Sequence, residues 1–294
     1  MKYNLTQIAQ QLENELRERL NKSGLMFRLF SRVKTQRSII HKMGIKGEAY
    51  RNGTLLMQDI IGFRVVLYFQ DDVDIVALFL SSNGLVRKSI DEPDSSTFRP
   101  QRLNLTLSIP ESLVDDFHHE LPEEFAPYIG STYEVQIRTI FSEGWHEVEH
   151  DLRYKCKEDW KDCEPYSRTL NGLIATLETA EWTMKSLFHE MATKNYLFGN
   201  YRAMLRNKMR LRLTNDDFSP AVTEFLQQHP DIAEAVLKTD RMIFVFTLLH
   251  HRQHLPLTFD NVLFLMNRIE FLNPELKMLE TPETRQIMDE FLAS

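Results

Sequence analysis

An alternating stretch followed directly by a helical one places the strongest limit on how this chain folds. Between residues 134 and 138 the polar side chains Glu134, Gln136 and Arg138 alternate with Val135 and Ile137. Because successive side chains of a strand point to opposite faces, this pattern predicts a half-buried strand with one polar face. The residues that follow have a helical pattern, so a strand must run into a helix at this point.

The periodicity of the remaining chain predicts the elements around that strand. A run of β-branched and aromatic residues at 60–69 predicts a central strand covered on both faces. Clean alternation at 102–109 predicts a strand with one open face, and apolar residues at helical spacing predict helices over 4–22 and 164–196. The chain is therefore expected to be α/β (α+β), with a mixed central sheet of about five strands flanked by helices.

The last third of the chain carries helical patterns almost throughout. We place a soft boundary near residues 198–200 and expect two domains, a sheet-containing one at 1–195 and an all-helical one at 196–294. A basic cluster follows the boundary and consists of Arg202, Arg206, Lys208, Arg210 and Arg212. Such a cluster more often forms a polar helix face that contacts only solvent. The alternative, functional interpretation is a surface that contacts RNA or an acidic partner.

The composition limits the classes of partner and compartment. Of the 294 residues 43% are hydrophobic and 26% charged, as in a soluble globular protein, and the net charge of -7 disfavours broad nucleic-acid binding. Cys156 and Cys163 are too few for a disulfide framework and fit no usual zinc spacing, so we expect reduced thiols. The N-terminus lacks an apolar signal core, and the apolar stretch from Ile243 to Leu249, which Thr247 interrupts, is short. We therefore expect a cytoplasmic protein with no membrane association.

Part of the first third of the chain carries basic residues without any acidic ones between them. Between residues 19 and 46 there is no aspartate or glutamate, although the protein as a whole is acidic. Arg28, Arg32 and Lys34 share strand parity, and Ser38 and Lys42 are one helical turn apart, so each set faces one way. Such a cluster suits a triphosphate, although a charge run alone more often marks a solvated surface.

Two carboxylates are placed to meet beside these basic residues. Asp59 stands at the start of the predicted central strand, and Glu134 lies on the alternating strand. Arg64 shares the central strand with Asp59; strict alternation puts the two on opposite faces, so a shared site requires a twist or bulge at Gly62. A structural Asp–Arg pair is the alternative. Carboxylates bind Mg²⁺ and can accept the proton of an attacking hydroxyl, so the pattern indicates metal-dependent nucleotidyl or phosphoryl transfer.

Three blocks of residues carry a resemblance to a known family. They are Arg32-Val-Lys34 with Ser38-Ile and Lys42-Met, then Asp59-x-x-Gly62-x-Arg64, then Glu134-Val-Gln-Ile-Arg-Thr with Trp145, Glu149-His150 and Tyr154-Lys155. Their order and spacing resemble the synthetase domain of RelA/SpoT-type enzymes, and most closely the small alarmone synthetases, over residues 5–180. The resemblance implies a nucleotidyltransferase-like fold that transfers pyrophosphate from ATP to the 3′-hydroxyl of GTP or GDP and releases AMP.

The resemblance also implies an ATP site and a metal site. The residues that would bind ATP are Arg32, Lys34, Ser38, Lys42 and Arg64. Arg32 and Arg64 would lie against the adenine in a cation–π role, and the others would hold the phosphates. Asp59 and Glu134 would bind Mg²⁺, and Glu134 would also activate the acceptor hydroxyl.

The acceptor side departs from the family pattern. Where the family has Gly-Tyr-x-Ser-x-His, with a tyrosine that stacks on guanine, this chain has Thr97-Phe98-Arg99-Pro100-Gln101-Arg102. Phe98 still offers a ring face for stacking, and Arg102 and Arg138 are candidates for contact with the acceptor. The donor half of the pattern is thus intact, and the acceptor half is altered.

Three functional hypotheses follow. The leading one is a pyrophosphokinase that makes a (p)ppGpp alarmone from ATP and GTP or GDP. The second keeps the donor chemistry but uses an adenosine nucleotide or the 3′ end of tRNA as acceptor, and the acidic net charge disfavours tRNA. The third is a non-catalytic nucleotide-sensing module, which would not explain why Asp59, Glu134 and the basic residues occur together. The C-terminal helices could additionally form a homo-oligomer.

Overall fold

The strands form one mixed sheet in the computed structural model, which describes residues 5–90 and 103–294. The strands are β1 (Phe27–Val33), β2 (Ile61–Leu67), β3 (Leu85–Ile90), β4 (Leu103–Ser108) and β5 (Thr132–Thr139). They lie in the order β1-β2-β5-β4-β3. The pair β2–β5 is parallel, and the other neighbouring pairs are antiparallel. The predicted mixed sheet of about five strands flanked by helices is confirmed.

The two central strands have different burial patterns. On β5, Val135 and Ile137 are buried and the polar residues between them are half-buried, as the alternation predicts. On β2, Gly62 and Arg64 are half-buried, whereas the residues from Val65 to the end of the strand are buried. The strand is therefore not covered on both faces along its whole length, because its first half borders an open cavity.

The helices follow from local capping and periodicity. They are α1 (Leu5–Lys22), α2 (Gln36–Arg51), α3 (Gln70–Ser81), α4 (Glu111–His119), α5 (Ile140–Glu149), α6 (Glu164–Leu197), α7 (Tyr201–Met209), α8 (Pro220–Gln228), α9 (Pro230–Lys238), α10 (Arg241–His250), α11 (Phe259–Met266), α12 (Pro274–Met278) and α13 (Pro282–Ala293). The helix α2 contains Gly44 and continues through a kink at Lys46 to Arg51. A glycine inside a helix costs only about 1 kcal/mol, which neighbouring contacts can outweigh. None of the described helices is sufficiently long and apolar to cross a membrane.

The chain divides into two compact units. The first comprises the described residues among 1–17, 27–68 and 76–178 and contains the sheet. The second comprises 18–26, 69–75 and 179–294, and its core includes the fully buried Phe244 and Phe259. The helical character predicted for the C-terminal region is confirmed. The predicted domain boundary at 195/196 stays a prediction.

Candidate active site

A row of three paired residues crosses the middle of the sheet. Arg32 on β1 is paired with Gly62 on β2, and Gly62 is paired with Glu134 on β5. Directly paired residues project to the same face, so the Arg32 and Glu134 side chains flank a position that has no side chain. A Cβ added at Gly62 would meet no atom within 4 Å. The row therefore holds a guanidinium and a carboxylate on either side of an open space.

A cavity of about 490 Å³ lies over this face of the sheet. The charged side chains that line it and matter for its chemistry are Arg32, Asp59, Arg64, Glu134, Glu143 and Glu147. Cavities of this size commonly hold nucleotide-sized ligands. The two carboxylates expected to bind a metal and the two arginines expected to contact adenine thus line one cavity.

Asp59 carries a positive partner on each of its oxygens. Lys34 Nζ lies 2.6 Å from Oδ2, and Lys42 Nζ lies 2.7 Å from Oδ1. Burial raises the pKa of Asp59, but the two ammonium groups outweigh that effect and hold it below its usual value. Burial also lowers the pKa of Lys34, whereas Asp59 outweighs burial and raises the pKa of Lys42.

The position of Asp59 explains how it shares a cavity with Arg64. The strand β2 begins at Ile61, and its pairing with both neighbours runs without a register shift to Leu67. Asp59 lies before the strand, so strict alternation does not fix its direction. No bulge at Gly62 is needed to bring the two residues to one cavity.

Arg64 and Arg138 are joined through one carboxylate of α5. Arg64 Nη1 lies 2.5 Å from Oε1 of Glu143 and 2.5 Å from Oε1 of Glu147. Arg138 Nη1 donates to the other oxygen of Glu143 at 2.8 Å. Burial disfavours the charge on Arg64, but the two carboxylates outweigh it and raise the pKa of that guanidinium.

The helix that supplies these carboxylates begins immediately after β5. The Thr139 side chain accepts a hydrogen bond from the Ser142 backbone N–H, and the Ser142 hydroxyl accepts one from the Thr139 backbone N–H. This reciprocal cap fixes the first turn of α5. Glu143 and Glu147 are four residues apart, so both project from the same face of the helix towards the sheet residue Arg64.

Comparison with protein families supplies an independent observation. A family model described as "Region found in RelA / SpoT proteins" matches residues 31–159. Over these residues the chain is similar to RelA/SpoT proteins. This confirms the resemblance drawn from the sequence blocks. The matched interval includes every cavity-lining residue named above.

Comparisons with whole proteins give further matches only among solved structures. No curated protein sequence matches the chain. It is similar to a GTP pyrophosphokinase family protein from Streptococcus pneumoniae at 22% identity, over 62% of this chain and 88% of that one, with a TM-score of 0.46. It is similar to smu.1046c from Streptococcus mutans UA159 (24% identity, 62% and 90% covered, TM-score 0.45). The small alarmone synthetase 1 from Bacillus subtilis matches at 21% identity, with 62% and 90% covered and a TM-score of 0.43.

The remaining residues that the sequence predicts for the site are Ser38, Arg138, Phe98 and Arg102, and the structure describes only the first two. Ser38 is exposed, and its hydroxyl lies 2.9 Å from that of Thr35 at the start of α2. Arg138 lies on the same strand face as Glu134 and contacts Glu143 and Gln136. Phe98 and Arg102 lie outside the described residues. The roles assigned to these residues stay predictions.

Glu143 and Glu147 were missed as functional candidates in the sequence. Each is an ordinary acidic residue in a predicted helix, and nothing in its own neighbourhood indicates an arginine partner on β2. The available signal was their spacing of four residues, which puts both on one helix face directly after the polar strand. That spacing could have been combined with Arg64 only if the parallel pairing of β2 and β5 had been known.

The donor set of the RelA/SpoT region fits a hard divalent cation. Asp59 and Glu134 offer carboxylate oxygens to the same cavity, and Mg²⁺ is commonly bound by one or two carboxylates together with substrate phosphates. Across residues 5–90 and 103–294, no group of three histidine, cysteine, aspartate or glutamate residues could hold a metal ion. A metal bound here would therefore take its remaining ligands from water and phosphate. The magnesium site stays a prediction.

Proposed function

We propose that the protein is a nucleotide pyrophosphokinase that transfers pyrophosphate from ATP to the 3′-hydroxyl of GTP or GDP and makes a (p)ppGpp alarmone. One observation carries the proposal: Asp59, from the segment before β2, and Glu134, from β5, line one cavity with Arg32 and Arg64 inside the region that matches RelA/SpoT proteins. Two carboxylates beside a set of cations are the groups that metal-assisted phosphoryl chemistry requires.

The proposed reaction is an in-line displacement at the β-phosphorus of ATP. A bond forms between the acceptor 3′-oxygen and that phosphorus, the bond to the oxygen that bridges to the α-phosphate breaks, and AMP leaves with the electron pair. Glu134 accepts the hydroxyl proton, which makes the oxygen a better nucleophile. Arg32 and Arg64 orient the adenine, and Lys34 and Lys42 bind phosphate oxygens.

Magnesium, when bound by Asp59 and Glu134, would neutralise negative charge on the phosphate oxygens. The lysines that now contact Asp59 are the same ones proposed to bind phosphate. Phosphate oxygens can replace Asp59 as the ion-pair partners of these ammonium groups. The carboxylate oxygens of Asp59 would then be available for the cation.

A second candidate function keeps the donor chemistry and changes the acceptor. It is favoured by the sequence at 97–102, which departs from the family pattern at its glycine, serine and histidine positions. An adenosine nucleotide or the 3′ end of tRNA would then receive the pyrophosphate.

The decisive experiment incubates the full chain with labelled ATP, Mg²⁺ and one acceptor at a time: GTP, GDP, ATP or tRNA. We expect AMP release that depends on GTP or GDP. Release that depends on ATP or tRNA instead would establish the second candidate. Absence of AMP with every acceptor would overturn both and leave a nucleotide-sensing module.

The cellular context forms part of the same proposal. We place the protein in the cytoplasm, where ATP and guanine nucleotides are available to it. Self-association through the C-terminal helices is a further prediction, which light scattering of the purified chain over a range of concentrations tests directly.

A further inference from the structure

A second cavity, of about 440 Å³, lies within the second, helical unit. Its lining includes Trp182, Lys185, Ser186 and His189, whose spacing of three and four residues places them on one face of α6. Lys208, from α7, also lines it. No part of the proposed pyrophosphokinase site uses these residues, so the cavity requires its own explanation.

Two buried arginines, Arg210 and Arg241, also line this cavity. Each has a side chain that is only 7% exposed. Arg210 binds Asp71 through both terminal nitrogens, and Arg241 Nη1 lies 2.6 Å from Asp72 Oδ1. The two carboxylates neutralise the two guanidinium groups. Arg241 Nη2 is nevertheless buried without a hydrogen-bond acceptor among the described residues.

The backbone at Arg210 is also unusual. It has a left-handed conformation with φ of 50° at the end of α7, a position that usually favours glycine. Its guanidinium lies 4.4 Å from the ring centre of Phe69, in addition to its contacts with Asp71. A side chain fixed by this many contacts keeps the cavity wall in one arrangement without a ligand.

Lys185 and Lys208 supply positive charge that takes part in no direct ion pair among the described residues. Within the part of the chain that the structure describes, neither ammonium group has a carboxylate within 4 Å, although an exposed Glu190 also lines the cavity. Burial lowers the pKa of Lys208, and the attraction of Asp240 does not offset it because Arg210 and Arg241 act in the same direction as burial. An incoming anion would relieve that cost.

Trp182 adds an aromatic surface to the same cavity. Its side chain is 70% exposed, and it lies one helical turn before Lys185. An exposed indole face binds a planar base by stacking, and neighbouring ammonium groups bind phosphates. We propose that this cavity is a second nucleotide site, in which the base stacks on Trp182 and two or more phosphates contact Lys185, Lys208 and the free N–H of Arg241.

A small ligand fits these observations better than RNA. Three residues of the basic cluster at 202–212 form ion pairs within the second unit. Arg202 pairs with Asp217, Arg206 with Asp216 and Arg210 with Asp71. These pairs place carboxylates beside three of the five basic residues and weaken the positive field that a continuous polyanion would need. What remains is a local positive site inside a concave space.

The test follows the fluorescence of the full chain while ADP, GDP or inorganic triphosphate is added without Mg²⁺. We expect either nucleotide to quench the emission, and Trp182→Phe to remove that response. Lys185→Met and Lys208→Met should each raise the Kd at least about tenfold, since a charged hydrogen bond to phosphate is lost. Lys194→Met is the matched control, because Lys194 is an exposed lysine of the same helix outside the cavity lining.

The outcomes separate this proposal from the enzymatic one. Unchanged affinity in both lysine variants, with circular dichroism showing a folded chain, would overturn the second site. The second site would also be overturned if an RNA oligonucleotide quenched the emission while ADP, GDP and triphosphate gave no response. The readout does not involve AMP release, so a chain without transferase activity could still show the site, and an active chain could lack it.

Discussion

Lys34 Nζ lies 2.6 Å from Oδ2 of Asp59, with Lys42 at the opposite oxygen of the same carboxylate. The three residues come from the position directly after β1, from α2 and from the segment before β2. A half-buried carboxylate with two ammonium partners stabilises the fold and at the same time holds both lysines next to the cavity. Removing the carboxylate should therefore affect stability and catalysis together.

The stability contribution of Asp59 should depend on pH in a defined direction. Its two ammonium partners lower its folded pKa below the ordinary 3.8 despite burial, so its contribution is present above about pH 4 and is lost as pH falls through the folded pKa. We expect Asp59→Asn to lower the free energy of unfolding by roughly 1–3 kcal/mol at neutral pH. Urea unfolding of both proteins from neutral to acidic pH measures the difference, which should shrink below about pH 4. A difference that stays constant there would contradict this account.

Glu134→Gln should separate binding from chemistry. The amide keeps the shape of the side chain and its contact with Gln136, but it can neither accept the hydroxyl proton nor bind a cation with a full negative charge. We expect AMP release to fall at least about 100-fold, while ATP binding measured by calorimetry changes little. Glu111→Gln, on the exposed first turn of α4, is the control and should retain activity. Normal turnover in Glu134→Gln would exclude the assigned role.

Glu143 should act as a positioning residue for Arg64. Its carboxylate bridges Arg64 and Arg138, and its side chain is only 13% exposed. We expect Glu143→Gln to free the guanidinium that is proposed to contact adenine and to raise the KM for ATP roughly tenfold, with a smaller change in kcat. Steady-state kinetics with varied ATP measures this split.

Glu147 provides the matched control for that experiment. It binds the same Arg64 nitrogen at 2.5 Å, but its side chain is 53% exposed. Solvent screens exposed ion pairs, so Glu147→Gln should change the KM by less than the Glu143 variant does. Equal effects of the two substitutions would show that burial at Glu143 does not matter for the placement of Arg64.

The accuracy of the sequence predictions differed between local and long-range features. The alternation that placed Glu134 and Arg138 on one polar face is a property of consecutive residues, and the structure reproduces it. The order of the strands is not such a property. The direct opposition of Arg32, Gly62 and Glu134 depends on which strands are neighbours and in what register. Periodicity contains no information about register between distant strands.

The same limit explains the misjudged details around Asp59 and Arg64. Strict alternation suggested opposite faces because the strand was expected to begin near residue 60 and to include the approach from Asp59. The strand begins at Ile61, and Asp59 is oriented by Lys34 and Lys42 instead. Such side-chain contacts across elements override local backbone expectations, and a single sequence does not show them.

A buried ion pair in the second unit should carry much of the local stability. Arg268 contacts both oxygens of Glu280, whose side chain is 0% exposed, and it also contacts Asp289, whose side chain is 61% exposed. We expect Glu280→Gln to lower the free energy of unfolding by about 3–5 kcal/mol, because it leaves a buried guanidinium without its main partner. Asp289→Asn should cost less than about 1 kcal/mol. Urea unfolding followed by far-ultraviolet circular dichroism compares them, and similar losses would refute the distinction.

Gly62 should control access to the space between Arg32 and Glu134. A Cβ at this position meets no atom within 4 Å, so Gly62→Ala should keep the free energy of unfolding or raise it by up to about 1 kcal/mol. Gly62→Leu should fold as well, but its side chain would occupy the space in which we propose that ATP binds. We expect AMP release to fall on the order of 100-fold in the leucine variant and by much less in the alanine variant. Thermal unfolding verifies that both are folded, and full activity in Gly62→Leu would mean that the reacting groups of ATP bind elsewhere.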